Sequence, residues 1–231
     1  MRIAIYNTNP TAQNAVSRGD HYGRMFETML HPRMTGATFE NFEVVDGVFP
    51  DDPLVFDAVV ITGSSAFVTD DAAWIATLFS HIRAMDRAKT KLFAVCFGHQ
   101  AVAMALGGNV ENRPVVLGAP KITITESKSW MQPAAGKLRL FSGNFQQVVD
   151  VPETMEVLAT HPDCPVVMMA KADHLLTVQC HPEMSAGYMH RYVDQISHDI
   201  TPQVAQAARQ AFDEGADGEV FAQWAAAFLA S

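Results

Sequence analysis

Basic charge, paired cysteines and long apolar runs are all scarce in this sequence. Lysine and arginine number 16 against 25 aspartates and glutamates, for a formal net charge of −9. Nucleic-acid binding needs a basic face, so that class of partner is disfavoured. The three cysteines, Cys96, Cys164 and Cys180, form neither an even-numbered framework nor a CxxC pair, which points to a reducing cytoplasm. No apolar run approaches the ~20 residues that span a bilayer. Met1-Arg-Ile-Ala-Ile-Tyr6 reads as a strand from the outset, with no basic-plus-apolar leader. The expectation is a soluble, cytoplasmic protein with neither membrane nor nucleic-acid partners. G-x-G-x-x-G and G-x-x-x-x-G-K-[ST] are both missing, so no dinucleotide or P-loop phosphate site is signalled and no cofactor is expected. No His, Cys and carboxylate set has metal-ligand spacing, so no metal is expected either.

What is present suits a substantial core, since 48% of the 231 residues are hydrophobic. Arg2–Tyr6 reads as a buried strand, and Asn7–Asp20 as a polar loop. Apolar residues at helical spacing follow over His21–Leu30. Phe39–Val45 and Asp57–Gly63 read as strands, Trp74–Ala88 as a helix and Lys91–Val95 as a fourth strand. This alternation predicts an α/β fold with an open, mostly parallel, doubly wound sheet and helices on both faces. After Gly108 short strand candidates crowd together: 109–112, 115–117, 121–125, 147–151, 156–160, 166–171 and 174–180. Residues 129–137 read as an ill-defined connection. From Ser185 the chain is helical, with Thr201-Pro202 as a helix start and an apolar stripe of Phe221, Trp224, Ala225 and Phe228. The simplest division is one domain over 1–200 and a helical C-terminal extension, 201–231, packed on it.

The chemistry is expected at Lys91-Leu-Phe-Ala-Val-Cys96-Phe-Gly98-His99-Gln100. An apolar strand ends at a cysteine, and a helix follows. Backbone N–H groups at a helix N-terminus favour thiolate over thiol, and the Phe97 N–H is placed to meet an oxyanion. Gly98 lets the chain turn sharply. A thiolate nucleophile needs a base and an orienter. His181-Pro182-Glu183 closes a second strand, and Glu183 could hold the imidazole in one tautomer. His161-Pro162 imitates that motif but reads as a turn. Gly63-Ser64-Ser65, at the end of another strand, could present N–H groups to an anion, although an ordinary strand-exit glycine looks the same. Cys180 reads as a small strand residue.

These pieces, in this order, resemble the class I glutamine amidotransferase family, in particular its stand-alone branch similar to GMP synthase. The nucleophile turn is Val95–Gln100, the base and acid are His181-Pro182-Glu183, and the oxyanion loop is Gly63-Ser64-Ser65. Gly19–Phe26, Val68–Asp71 and the helical tail add to the likeness. The resemblance implies a flavodoxin-like fold and hydrolysis of the glutamine side-chain amide through a γ-glutamyl thioester. It casts Cys96 as nucleophile, His181 as base and then acid, and Glu183 as orienter. Gly63 and Phe97 would form the oxyanion hole, and Ser64 and Gln100 would line the substrate pocket. Three departures stand out: Ala94 and Cys180 replace residues common in the family, and Asn144 falls where it often has histidine. No synthetase domain is visible, so ammonia would pass to a separate synthase subunit, or some γ-glutamyl amide or peptide would be hydrolysed outright. A non-catalytic regulatory protein on the same scaffold is the reading from a different class.

Overall fold

The computed structural model describes residues 1–10 and 21–231. The expected loop over 7–20 therefore lies outside the described residues from Thr11 onward, as do Gly19 and Asp20 of the family-like segment. Among the described residues, nine strands form one sheet. The parallel half runs in the order β2 (Thr38–Phe42), β1 (Arg2–Tyr6), β3 (Ala58–Ile61), β4 (Lys91–Val95) and β11 (Leu175–Val178). It continues antiparallel through β10 (Cys164–Lys171), β9 (Glu156–His161), β6 (Lys121–Ile124) and β7 (Lys137–Arg139). A two-stranded antiparallel sheet of β5 (Asn109–Gly118) and β8 (Ser142–Asp150) stands apart.

The inner parallel strands β1, β3, β4 and β11 are buried on both faces, whereas β2 at the edge is partly exposed, and successive side chains enter opposite layers. Ile3, Val60, Phe93 and Val95 pack with α1 (Tyr22–Leu30) and α6 (Gly218–Ala230) through Phe26, Leu30, Phe221 and Trp224. Ala4, Ile61, Leu92 and Ala94 pack with α2 (Ala73–Ala88) and α3 (Phe97–Ala105) through Leu78, Ile82 and Ala101. Two further helices, α4 (Ala186–Gln195) and α5 (Pro202–Asp213), share a smaller cluster with Tyr22 and Phe141. The doubly wound α/β fold expected from the sequence is the one observed.

Several details differ from expectation: the strand expected at 39–45 ends at Phe42, and that expected at 147–151 begins at Ser142. The separate strands at 109–112 and 115–117 are one strand running through Pro114. Its ladder with β8 shifts register between Asn112 and Val116, so no paired N–H is required of the proline. Within 129–137, read as an ill-defined connection, Lys137 begins β7, whose three residues are too few to show a period. The strand expected to reach Cys180 stops at Val178, although the Gln179 N–H still donates to the Val167 carbonyl of β10 at 2.7 Å, one bond beyond its end. Thr201 does cap α5, accepting from the Val204 N–H at 3.3 Å.

Candidate active site

Adjacent parallel strands β4 and β11 are in register from Leu92↔Leu175 to Val95↔Val178, so both chains leave the sheet at the same carboxyl edge. Ligand sites of open parallel sheets form at such edges. Cys96 follows β4 directly and is held there by its N–H donating to the Val178 carbonyl at 2.8 Å. Its backbone takes φ 51°, ψ −103°, a region that L-residues seldom occupy. His181 emerges beyond β11, fixed by its N–H donating to the Phe141 carbonyl at 2.7 Å. The Cys96 side chain and the His181 imidazole lie beside one another, both flanking Gly63, and interact electrostatically. Nδ1 of His181 is 2.7 Å from Oε1 of Glu183, whose side chain is wholly buried. The structure thus brings together all three residues of the predicted set.

Burial alone would push the His181 pKa down, since a charged ring is poorly solvated there. The negative charges of Glu183 and Cys96 outweigh it and raise the value to about 10. The geometry therefore favours the protonated, charged ring beside Glu183.

Gly63 follows β3, the strand on the other side of β4. A Cβ there would lie 2.9 Å from Cε1 of His181 and 3.5 Å from Cβ of Cys96, so only glycine fits this close to both. The Thr8 hydroxyl donates to the Gly63 carbonyl at 2.8 Å and anchors the turn. Among the described residues, neither the Gly63 N–H nor the Phe97 N–H has a protein acceptor. Phe97 is buried and stacks on Trp74, with ring centroids 5.3 Å apart. Gly98 needs a different explanation from the sharp turn expected of it. The unusual φ belongs to Cys96, whereas a Cβ on Gly98 would come 2.7 Å from the Ile61 carbonyl oxygen. The glycine lets α3 approach β3.

Cys96 opens onto a cavity of about 740 Å³ whose walls include Ser64, Phe67, Gln100, Asn144 and Tyr192. Ser64 lines it as expected, but its hydroxyl is committed to the loop, donating to the Thr8 carbonyl at 2.6 Å. Gln100 also lines it, and its Nε2 donates to the Gln146 carbonyl at 2.8 Å and to Oε1 of Gln179 at 3.0 Å. Asn144 is buried, accepting from the Ser142 hydroxyl at 2.8 Å and donating to the Gln146 carbonyl at 3.2 Å. Sequence reasoning missed Tyr192, whose hydroxyl donates to the Gly143 carbonyl at 3.2 Å. No motif marks it; its place depends on how α4 packs.

The remaining histidines are engaged elsewhere. His99 is fully buried beside Thr177, and burial lowers its pKa to about 3. His174 bonds Asp86, and His81 bonds the Tyr6 hydroxyl. Cys180 lies buried just past β11, and burial drives both its thiol and that of Cys164 up in pKa. Among the described residues no cluster of His, Cys, Asp and Glu could hold a metal, and no helix is long and apolar enough to cross a membrane.

An open α/β sheet with a cysteine elbow, a histidine and a buried carboxylate at its carboxyl edge defines the class of cysteine-based hydrolytic enzymes. Within it, the chain belongs to the glutamine amidotransferase class-I family, whose profile matches residues 41–197. Gamma-glutamyl peptidase 5 of Arabidopsis thaliana is 31% identical over 174 residues, covering 70% of this chain and 68% of its own. Gamma-glutamyl peptidase 4 of the same plant is 28% identical over 206 residues, covering 84% and 80%. A glutamine amidotransferase from Thermotoga maritima superposes with a TM-score of 0.78, covering 100% of this chain and 99% of its own at 16% identity, a likeness of fold.

Proposed function

We propose that this chain hydrolyses γ-glutamyl amides through a thioester on Cys96. The observation that carries the reading is the assembly of Cys96, His181 and Glu183 at one sheet edge, with Nδ1 of His181 2.7 Å from Oε1 of Glu183. The thiolate attacks the γ-carbonyl carbon, and the oxyanion accepts from the N–H groups of Gly63 and Phe97. His181 delivers its proton to the amide nitrogen, the C–N bond breaks and the amine departs. Water then attacks the thioester, His181 takes the water proton, and glutamate leaves with the thiolate restored.

Two amides fit this chemistry. Glutamine would release ammonia for a separate synthase subunit. A γ-glutamyl peptide would release a peptide or amino acid. The second is supported by the relatives named as gamma-glutamyl peptidases and by a cavity of about 740 Å³, roomier than glutamine needs. The test is glutamate release from glutamine and from a panel of γ-glutamyl peptides, with acid-trapped adducts weighed by mass spectrometry. Cys96→Ala is expected to lose roughly 10⁴-fold or more in rate and all adduct. Equal activity in that variant would overturn the reading.

A further inference from the structure

One wall of the cavity that Cys96 lines is a short segment, residues 64–67, which follows β3 and carries the Phe67 side chain, 40% exposed. Two different elements hold this segment. Its beginning is tied to the chain just past β1. The Thr8 hydroxyl donates to the Gly63 carbonyl at 2.8 Å, the Ser64 hydroxyl to the Thr8 carbonyl at 2.6 Å, and the Ser65 N–H to Oδ1 of Asn9 at 3.0 Å. Its far end is tied to β8 by one buried side chain, that of Gln146, which lines the same cavity. Oε1 of Gln146 accepts from the Val68 N–H at 3.0 Å. Nε2 donates to the Thr69 hydroxyl and to Oδ1 of Asn112, each at 2.9 Å. Both amide hydrogens and the amide oxygen are therefore committed, and the Val68 N–H, which can only donate, fixes which way the amide faces. Among the described residues, the other hydrogen bonds of residues 67–70 are local, such as the Phe67 N–H to Oδ2 of Asp70 at 3.0 Å and the Asp70 N–H to the Phe67 carbonyl at 3.0 Å.

We propose that Gln146 is a positioning residue for substrate binding: it holds in place the cavity wall that carries Phe67. This rests on the hydrolase reading above. The two ties then serve different steps. The tie to Thr8 and Asn9 sets Gly63, whose N–H meets the oxyanion in that reading. The tie to Gln146 sets the wall beyond it. Loosening the second moves a binding surface and leaves the oxyanion donor where it is. Binding that substrate and transition state share is lost, which raises KM and spares kcat. The backbone carbonyl of Gln146, which accepts from Gln100 and Asn144, is unchanged by a substitution of its side chain.

The experiment measures glutamate release from glutamine and the γ-glutamyl peptides by the unmodified chain and by Gln146→Leu, Thr69→Val and Thr69→Ser. Gln146→Leu should raise KM about five- to tenfold and keep kcat within about twofold, the size of losing a few neutral hydrogen bonds. Thr69 is exposed, so Thr69→Val tests the same tie with little risk to the fold. It should raise KM about two- to threefold, whereas Thr69→Ser, which keeps the hydroxyl, should leave KM unchanged. The double variant Gln146→Leu, Thr69→Val should do no more than Gln146→Leu alone, because both changes break one tie. If Gln146→Leu does not fold, the two Thr69 variants decide. A KM unmoved by Thr69→Val, a kcat that falls while KM stays, or fully additive effects would overturn the positioning role and leave the hydrolase reading intact. Failure of every γ-glutamyl compound to acylate Cys96 in the unmodified chain would instead overturn the hydrolase reading, and this role with it.

Discussion

At Cys96 the backbone sits at φ 51° in a residue that has a Cβ, a conformation costing about 1–3 kcal/mol. Two bonds hold it there: its N–H to the Val178 carbonyl at 2.8 Å and its carbonyl accepting from the Gln100 N–H at 3.0 Å. What that strain achieves is a thiol aimed at His181. The charge of the imidazole then depends on Glu183. With His181 raised to about 10, its ion pairs stabilise the fold fully below the unfolded value near 6.5, and that contribution fades as pH rises through 10. The proton for the leaving amine is lost over the same interval. Glu183→Gln removes the nearest carboxylate, so the alkaline limb of kcat/KM should move to lower pH, with a loss of roughly 10²–10⁴-fold at the optimum. A pH–rate profile of both proteins checks this; an unmoved limb would mean that Glu183 does not hold the proton on the ring.

Elements carry these residues to one edge. The turn from β4 to α3 works because α3 can lie against the end of β3, and Gly98 makes that approach possible. A methyl group there would meet the Ile61 carbonyl oxygen at 2.7 Å, a backbone atom that cannot swing aside. Gly98→Ala should cost about 1–3 kcal/mol, read as a lower denaturant midpoint at unchanged slope. It should also reduce activity, since the helix start that orients Cys96 must shift; a neutral substitution would refute the packing argument. The sequence announced this element well but misassigned its glycine. A strand end followed by a helix is a local pattern, whereas the distance from Gly98 to Ile61 is a product of tertiary packing. The same division holds elsewhere. Cys96, His181 and Glu183 were legible because each sits beside an apolar strand. Tyr192 was not, because a helix pattern shows which residues share a face but not which cavity that face lines. The three-residue β7, Lys-Leu-Arg, offers too short a period to read, and Pro114 concealed the continuity of β5.

For the whole molecule, the question is whether the proposed extension over 201–231 folds with the rest or beside it. Phe221, Trp224 and Phe228 of α6 are fully buried in the same layer as Phe26, Phe93 and Val95. The Trp224 indole N–H also donates to the Pro133 carbonyl at 3.0 Å, tying the last helix to the connection before β7. A helix so placed serves as part of the core of the sheet rather than as an appendage. Trp224→Ala should therefore cost about 3–5 kcal/mol, from the cavity it opens and the carbonyl it leaves unpaired. In a chain of this length each kcal/mol lowers Tm by roughly 2–4 °C. Calorimetry should show one transition in both proteins, shifted as a whole in the variant, with glutamate release lost along that same transition. An early, separate transition for the tail, with the main one unmoved, would mean that α6 is an independent unit and that the site at the sheet edge stands without it.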